Sequence, residues 1–116
     1  MSGPVGVADV LVDHLRGERR LRLGEGRALV SAISRAELFA GPAEQHDAVR
    51  SLLATFEDLP VDSGMAELGG AIKRASSIPL PDALIAAGAL SEGVALLTRN
   101  RRHFERVDGL VVRSPD

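Results

Sequence analysis

The sequence predicts an α/β domain in three layers, with a central, mostly parallel sheet of four to five strands flanked by helices. Short apolar runs alternate with amphipathic stretches along the chain, which is the order expected when helices cover both faces of a parallel sheet. The run from Val94 to Thr98 is apolar up to its last residue, as in a strand buried on both faces. The 116 residues suit one domain, so a single unit is expected over residues 1–116.

The chain begins with an alternation of strand, helix and strand. Short apolar runs predict strands over 5–7 and 28–30. Between them, the segment 9–15 has helical character, because Val10, Leu11 and Leu15 fall on one side of a helix.

Two further helices are predicted after the second strand. Ser34-Arg35-Ala36-Glu37 matches a capping box, which predicts that a helix opens there and ends near Gly41-Pro42. The next helix is predicted over 43–56, because apolar residues recur at helical spacing. These residues are Val49, Leu52, Leu53 and Phe56.

The middle of the second half predicts one brief strand and two helices. The strand is expected over 59–61, and a helix over 65–75 follows it. Pro79 and Pro81 interrupt the chain, and Pro81 suits the first turn of a new helix over 82–91, which Gly93 ends.

The end of the chain is expected to complete the sheet. The apolar run 94–98 is predicted to be its central strand. A helical turn is expected over 102–104, and the segment 110–112 is predicted to form an edge strand after the turn at Asp108-Gly109.

The charge composition excludes a protein that holds nucleic acid through an overall positive field. Fourteen basic residues against sixteen acidic ones give a formal net charge of -2. Any contact with nucleic acid is therefore local, through arginines that either bind phosphate or simply pair with carboxylates on the surface. The candidates form an early cluster, Arg16, Arg19, Arg20, Arg22 and Arg27, and a late one, Arg99, Arg101, Arg102 and Arg106.

The sequence also restricts where the protein works and how it reads a substrate. It has no cysteine, so neither disulfides nor thiolate metal sites are possible, and a reducing cytoplasm is the expected location. We expect no membrane association, because no signal-peptide pattern and no apolar segment of membrane-spanning length occurs. Without Trp or Tyr there are few platforms for base stacking, so sequence-specific base recognition is not expected.

Four oxygen-bearing residues stand near the ends of predicted elements: Asp9, Glu37, Asp82 and Asn100. In an open parallel sheet, ligands bind beyond the carboxyl ends of the strands, where one edge can bring such residues together. Crowded carboxylates repel each other unless a cation is present, and oxygen ligands suit Mg²⁺. The pattern therefore indicates metal-dependent hydrolysis of phosphodiester bonds.

Each of these residues also has an ordinary structural interpretation. Asp9 suits a helix cap, and Glu37 completes the capping box with Ser34. Asp82 is an acid in the first turn of a helix, which the helix dipole favours, and Asn100 is a common turn residue. Other catalytic arrangements lack support, because no Gly-x-Ser-x-Gly elbow or phosphate-binding loop occurs and the three histidines lack zinc-site spacing.

Four segments resemble VapC-type PIN-domain toxins of toxin–antitoxin systems. In the first half they are VLVDHLRG (10–17) and VSAISRAELFAG (30–41). In the second half they are IPLPDALIAA (78–87) and LLTRNRRHF (96–104). The resemblance implies a PIN-like fold and an endoribonuclease that depends on Mg²⁺ or Mn²⁺. It also implies a cognate antitoxin as partner, RNA as substrate and, in many members, a homodimer.

The resemblance assigns roles to three residues and leaves one family position unmatched. Glu37, Asp82 and Asn100 fall on acidic or amide positions of the family's metal site. The family's first aspartate corresponds to Val7, whereas Asp9 lies two residues later, on a variable position. Two hypotheses follow. Either Asp9 takes part in the metal-binding and catalytic set, or the domain is catalytically impaired and only binds antitoxin or RNA. A purely structural interaction module is a third alternative.

Overall fold

The structure is a computed structural model that describes residues 2–15 and 27–114. Within them, the chain forms five strands and six α-helices. The strands are β1 (Ser2–Gly6), β2 (Arg27–Ser31), β3 (Glu57–Leu59), β4 (Leu96–Leu97) and β5 (Val112–Arg113). The helices are α1 (Ala8–Leu15), α2 (Ala32–Phe39), α3 (His46–Leu53), α4 (Ser63–Ser76), α5 (Leu80–Glu92) and α6 (Arg101–Phe104). The early arginines Arg16, Arg19, Arg20 and Arg22 and the side chain of Arg27 lie outside the described part of the chain.

The five strands form one sheet in the order β3-β2-β1-β4-β5, and every neighbouring pair is parallel. The predicted fold class, a mostly parallel sheet of four to five strands flanked by helices, is therefore confirmed. The prediction that the segment 94–98 forms the central strand is wrong. β1 holds that place, with Val5 paired to Leu29 on one side and to Leu96 on the other. A continuous apolar run reports burial on both faces, which any interior strand has, and does not report strand order.

Apolar side chains cover both faces of the sheet. Consecutive residues of a strand point to opposite faces of the sheet. In β2, Leu29 accordingly belongs to one buried cluster, and Ala28 and Val30 belong to another. The Leu29 cluster includes most of the buried residues of α5 together with β4, and the other joins α1, α2 and α3. Each fully buried Leu, Ile or Val side chain in these clusters contributes about 1.5–3 kcal/mol relative to exposure.

Helix α5 lies against α4 at very short range. An added methyl group at the buried Gly69 of α4 would sit 2.5 Å from Cδ2 of Leu84, so only glycine fits there without a shift. The amide of Met65 donates to the side chain of Asp62 at 2.9 Å and thereby caps the start of α4. Gly93 ends α5 with a left-handed φ of 67°. The start of α4, the end of α5 and the contact between the two helices are therefore each explained by one residue.

The start of α2 differs from the sequence prediction. Ser31, the last residue of β2, is the N-cap, and its Oγ accepts a hydrogen bond from the Ile33 amide at 3.1 Å. Ser34 lies inside the helix, fully buried, and its Oγ has no hydrogen-bond partner. The capping-box prediction is wrong because the chain passes from strand to helix without a loop, so the earlier serine takes the cap. Glu37 therefore lies in the second turn of α2 and takes no part in its cap.

Other boundaries differ by a few residues. The predicted helix over 43–56 divides into a 3₁₀ turn (Ala43–Gln45) followed by α3. Strand β3 begins two residues earlier than predicted, and β5 is an edge strand as expected. In the ranges 2–15 and 27–114, no helix is long and apolar enough to cross a membrane.

Candidate functional site

A cavity of about 160 Å³ lies at the edge of the sheet where the carboxyl ends of the strands meet. The four residues predicted from sequence, Asp9, Glu37, Asp82 and Asn100, all contribute to its wall. They come from α1, α2, α5 and the turn after β4, so distant segments supply the polar groups. The remaining wall consists of Val7, Ile85, Thr98 and Phe104.

The sheet register explains why the α1 and β4 sides of the cavity meet. Gly6 and Leu97 end the neighbouring strands β1 and β4 and pair with each other. The next residue on each strand, Val7 and Thr98, therefore reaches the same edge, and both are almost fully buried. Helix α1 begins immediately, since the Val7 carbonyl accepts hydrogen bonds from the amides of Val10 and Leu11. Asp9 is thereby placed in the first turn of α1, beside the β4 end.

Asp9 contacts its own helix and the β4 end. Its Oδ1 accepts a hydrogen bond from the Val10 amide at 2.8 Å. Its Oδ2 lies 3.4 Å from the hydroxyl of Thr98 and 3.7 Å from Nε of Arg99. The contact with Arg99 is an ion pair between partly exposed groups, and it gives the Asp9 charge a cationic neighbour within the chain.

Asp82 has one short contact, with a residue that the sequence analysis did not select. It lies in the first turn of α5, and its Oδ2 is 2.7 Å from Nε2 of His103. Twenty-one positions separate the two residues, and no spacing rule connects them. The histidine could not be found from the sequence as a partner of Asp82.

Thr98 is a second residue that the sequence analysis did not assign to the site. Its side chain is fully buried, and its Oγ1 accepts a hydrogen bond from the Asn100 amide at 3.0 Å. The same hydroxyl is oriented toward Asp9. The available sequence signal was a polar residue at the end of an otherwise apolar strand.

Glu37 lies where the negative charges of the site combine. Although much of its side chain is exposed, partial burial raises the pKa of its carboxyl group, and the charges of Asp82 and then Asp9 raise it further. Three carboxylates therefore interact electrostatically across the cavity. Such mutual repulsion is reduced by a bound cation.

Val7 contributes an apolar wall where the resemblance placed the family's usual aspartate. It is 4% exposed and lines the cavity together with the polar residues. A valine supplies no oxygen ligand. At this position the cavity therefore lacks the carboxylate that the family's usual aspartate provides.

The donor set is suitable for a hard divalent cation. Three carboxylates and an amide surround one cavity, and the charges of Asp82 and Asp9 add to the effect of burial in raising the pKa of Glu37. Across the described ranges, no three His, Asp or Glu side chains converge closely enough to hold a metal ion by themselves. Mg²⁺ normally retains several water ligands and binds few protein groups, so the residues fit this ion by chemistry without a closed cage.

The late arginines lie in different environments. Arg99 contacts Asp9, and Arg101 lies 3.6 Å from Glu105 on the next turn. Arg102 and Arg106 are exposed. Two members of this cluster therefore pair with carboxylates, and binding of phosphate by its arginines stays a prediction.

Comparison with known proteins connects this geometry to a family. A profile of the PIN domain family matches residues 8–110. Among solved structures, a DNA-bound VapBC complex from Salmonella typhimurium contains a chain that is 20% identical, with a TM-score of 0.86 and complete coverage of both chains. No curated protein sequence matches significantly.

Two other solved structures show the same fold. A chain of a toxin–antitoxin complex from Klebsiella pneumoniae is 23% identical, with a TM-score of 0.79 and coverage of 97% of this chain and 98% of that one. A chain of VapBC-1 from nontypeable Haemophilus influenzae is 19% identical, with a TM-score of 0.79 and coverage of 96% of each chain. At such identities the likeness establishes the fold, and the profile match establishes the family. This chain therefore belongs to the PIN domain family.

Proposed function

We propose that this protein is an endoribonuclease that depends on a divalent metal and acts as the toxin of a type II toxin–antitoxin pair. The observation that carries the proposal is the meeting of Asp9, Glu37, Asp82 and Asn100 around one cavity. Membership of a family of nucleases supports hydrolysis as the reaction class. RNA as the substrate follows from the resemblance of the sequence segments to VapC-type toxins.

The residues that line the cavity have different proposed roles. Asp9, Glu37, Asp82 and Asn100 would hold Mg²⁺ or Mn²⁺, which supplies a polarised water and neutralises charge on the phosphate. The amide of Asn100 can donate to a phosphate oxygen. Ile85 and Phe104 form an apolar part of the cavity wall, which limits the access of water to the reacting groups.

The RNA backbone is proposed to lie along the late arginines. Arg102 is exposed on α6, two residues after the cavity residue Asn100. Guanidinium groups bind phosphate oxygens in pairs of hydrogen bonds, which anchors a strand without reading its bases. The composition, with no Trp or Tyr, agrees with recognition of the backbone.

A cognate antitoxin is the proposed protein partner. The neighbours of known structure include complexes described as toxin–antitoxin assemblies or VapBC. We also propose a homodimer, from the family resemblance, and a cytoplasmic location, which a chain without cysteine suits.

A second candidate function is favoured by Val7 alone. Since this buried residue replaces the family's first aspartate, a domain that only binds antitoxin or RNA is the alternative. It keeps the fold and the partner but lacks hydrolysis.

The deciding experiment measures metal binding and RNA cleavage side by side. Mn²⁺ binding by calorimetry and cleavage of a mixed RNA pool are compared for the wild type, Asp82→Asn and Asp47→Asn. Asp47 is an exposed acid of α3 outside the cavity, so its variant controls for the loss of one negative charge. We expect Asp82→Asn alone to lose both activities. A folded wild type that neither binds Mn²⁺ nor cleaves RNA would overturn the nuclease proposal and favour the binding-only alternative.

A further inference from the structure

The hydrogen bond between His103 and Asp82 has a defined direction. A carboxylate accepts hydrogen bonds only, so Nε2 of His103 carries the proton and donates it to Oδ2 of Asp82. The separation of 2.7 Å is at the short end of the range for hydrogen bonds to ionised groups. Both side chains are about three-quarters buried, which limits competition from water.

The imidazole of His103 is itself held in place. Its ring packs edge-on against Phe104, with centroids 5.5 Å apart and an interplanar angle of 85°. Phe104 is 3% exposed and belongs to the Leu29 cluster, so it anchors the histidine to the core. His103 lies on α6, three residues after Asn100, and reaches across to α5.

The contact uses one carboxylate oxygen of Asp82. Oδ2 accepts from His103, whereas Oδ1 has no hydrogen bond to any residue in the described ranges. A carboxylate fixed through one oxygen loses rotational freedom and keeps the second oxygen for another ligand. Partners of this kind, behind a metal-binding side chain, orient it and strengthen binding.

We propose that His103 is a positioning residue that fixes the Asp82 carboxylate through the Nε2 to Oδ2 hydrogen bond and leaves Oδ1 to bind a divalent cation. This inference rests on the proposed function, because it assigns His103 to the same site. It adds a residue that does not line the cavity and acts only through Asp82.

The competing explanation is that His103 merely joins α5 to α6. A structural link of this kind affects the unfolding temperature and leaves the Mn²⁺ affinity of the folded protein unchanged. The two explanations separate when donor capacity and side-chain volume are changed independently.

The test uses His103→Gln and His103→Met in the full chain. The glutamine amide can donate from a position similar to Nε2, whereas methionine fills comparable space without a donor. Calorimetry with Mn²⁺ is expected to show affinity that is lower by about 10- to 100-fold in His103→Met and within a few-fold of wild type in His103→Gln. Thermal unfolding of both variants confirms that the measured protein is folded.

Equal Mn²⁺ affinities of His103→Gln and His103→Met overturn the inference, whether both match the wild type or both are weakened. If the wild type binds Mn²⁺ and cleaves RNA while His103→Met binds it equally well, the inference fails and the proposed function stands. A wild type that binds no Mn²⁺ overturns both.

The hydrogen bond can be tested without metal. Imidazole ¹⁵N–¹H spectra of the wild type and Asp82→Asn are compared, with the His103 signals identified by their loss in His103→Gln. We expect the His103 signals to shift in Asp82→Asn and those of His14 and His46 to stay in place. Unchanged His103 signals would show that the contact is absent in solution and overturn the inference.

Discussion

The Asp82 side and the Asp9 side of the cavity are organised differently. Asp82 is held by one short hydrogen bond from His103 at 2.7 Å, on a helix packed closely against α4. Asp9 has longer tertiary contacts, at 3.4 Å to Thr98 and 3.7 Å to Arg99. The Asp82 side also matches the family motif, whereas the Asp9 side carries Val7 at the position of the usual aspartate.

The difference shows two ways of stabilising a carboxylate at the same sheet edge. On the Asp82 side, a hydrogen-bond donor orients the carboxylate and leaves its charge available to a bound cation. On the Asp9 side, Arg99 brings a positive charge next to the carboxylate, so part of the attraction for a metal ion is already balanced. The comparison predicts that the metal-binding strength of this site depends mainly on Asp82.

The largest expected effect comes from restoring an acid on the Asp9 side with Val7→Asp. Without metal, a charged group at this buried position beside three carboxylates should lower the free energy of unfolding by about 3 kcal/mol. Mn²⁺ should recover much of that loss, because it binds the folded state alone. Urea unfolding with and without Mn²⁺ measures both quantities.

Val7→Asn is the matched control for that substitution. It has a similar size without the charge, so it should lose stability and gain less stabilisation from Mn²⁺ than Val7→Asp does. Equal responses of the two variants to Mn²⁺ would mean that a negative charge at position 7 does not strengthen metal binding.

The packing that supports the Asp82 side can be tested at two adjacent glycines of α4. Gly69→Ala forces a methyl group against Leu84, and such overpacking costs about 1–3 kcal/mol. Gly70→Ala meets no atom within 4 Å and should stabilise the helix by about 0.5–1 kcal/mol. Chemical denaturation of both variants gives the difference, and equal stabilities would contradict the close α4–α5 contact.

A smaller effect is expected from Asp9→Asn. It removes one negative charge and the ion pair with Arg99, which between exposed groups is worth about 0–1 kcal/mol. Mn²⁺ affinity measured by calorimetry should fall less than in Asp82→Asn. A loss as large as that of Asp82→Asn would show that Asp9 fully replaces the missing aspartate, and the proposed asymmetry between the two sides would be wrong.

The most subtle prediction concerns pH and Glu37. Its pKa in the folded protein is raised above the ordinary value of 4.5, so its contribution to stability is full below that value and is lost as pH rises through the folded pKa. In the absence of metal, Glu37→Gln should therefore be more stable than the wild type at neutral pH. The two proteins should converge in acid.

Urea unfolding between about pH 4 and pH 7 in a chelator tests this prediction. Glu44→Gln, which changes an exposed glutamate outside the cavity, is the control. A stability difference between Glu37→Gln and the wild type that does not change with pH would contradict the electrostatic origin of the effect.

The sequence was sufficient for several features of the fold and the candidate site. Alternating apolar and amphipathic segments report burial directly, so the α/β class and the approximate positions of the elements were predictable. Asp82 follows a proline that suits a first helical turn, and Asn100 follows an apolar strand. Because the carboxyl ends of parallel strands share one edge, the grouping of the four polar residues was also expected. Their catalytic role stays a prediction.

Other features depend on the folded chain. The order of the strands, with β1 at the centre, depends on how helices connect across the sheet, and an apolar run is the same at any interior position. Ser31 takes the cap that the Ser34 pattern suggested, because the strand ends there without a loop.

By itself, the sequence determined the α/β class, the approximate positions of the helices and strands, and which oxygen-bearing side chains lie near the ends of the strands and the starts of the helices. Only the tertiary structure decided that His103 donates to Asp82 and that Arg99 lies beside Asp9. The physical reason is the distance along the sequence between the interacting residues. Local periodicity and capping act between residues a few positions apart, whereas these contacts join residues 21 and 90 positions apart through the register of β1 and β4 and the packing of α5.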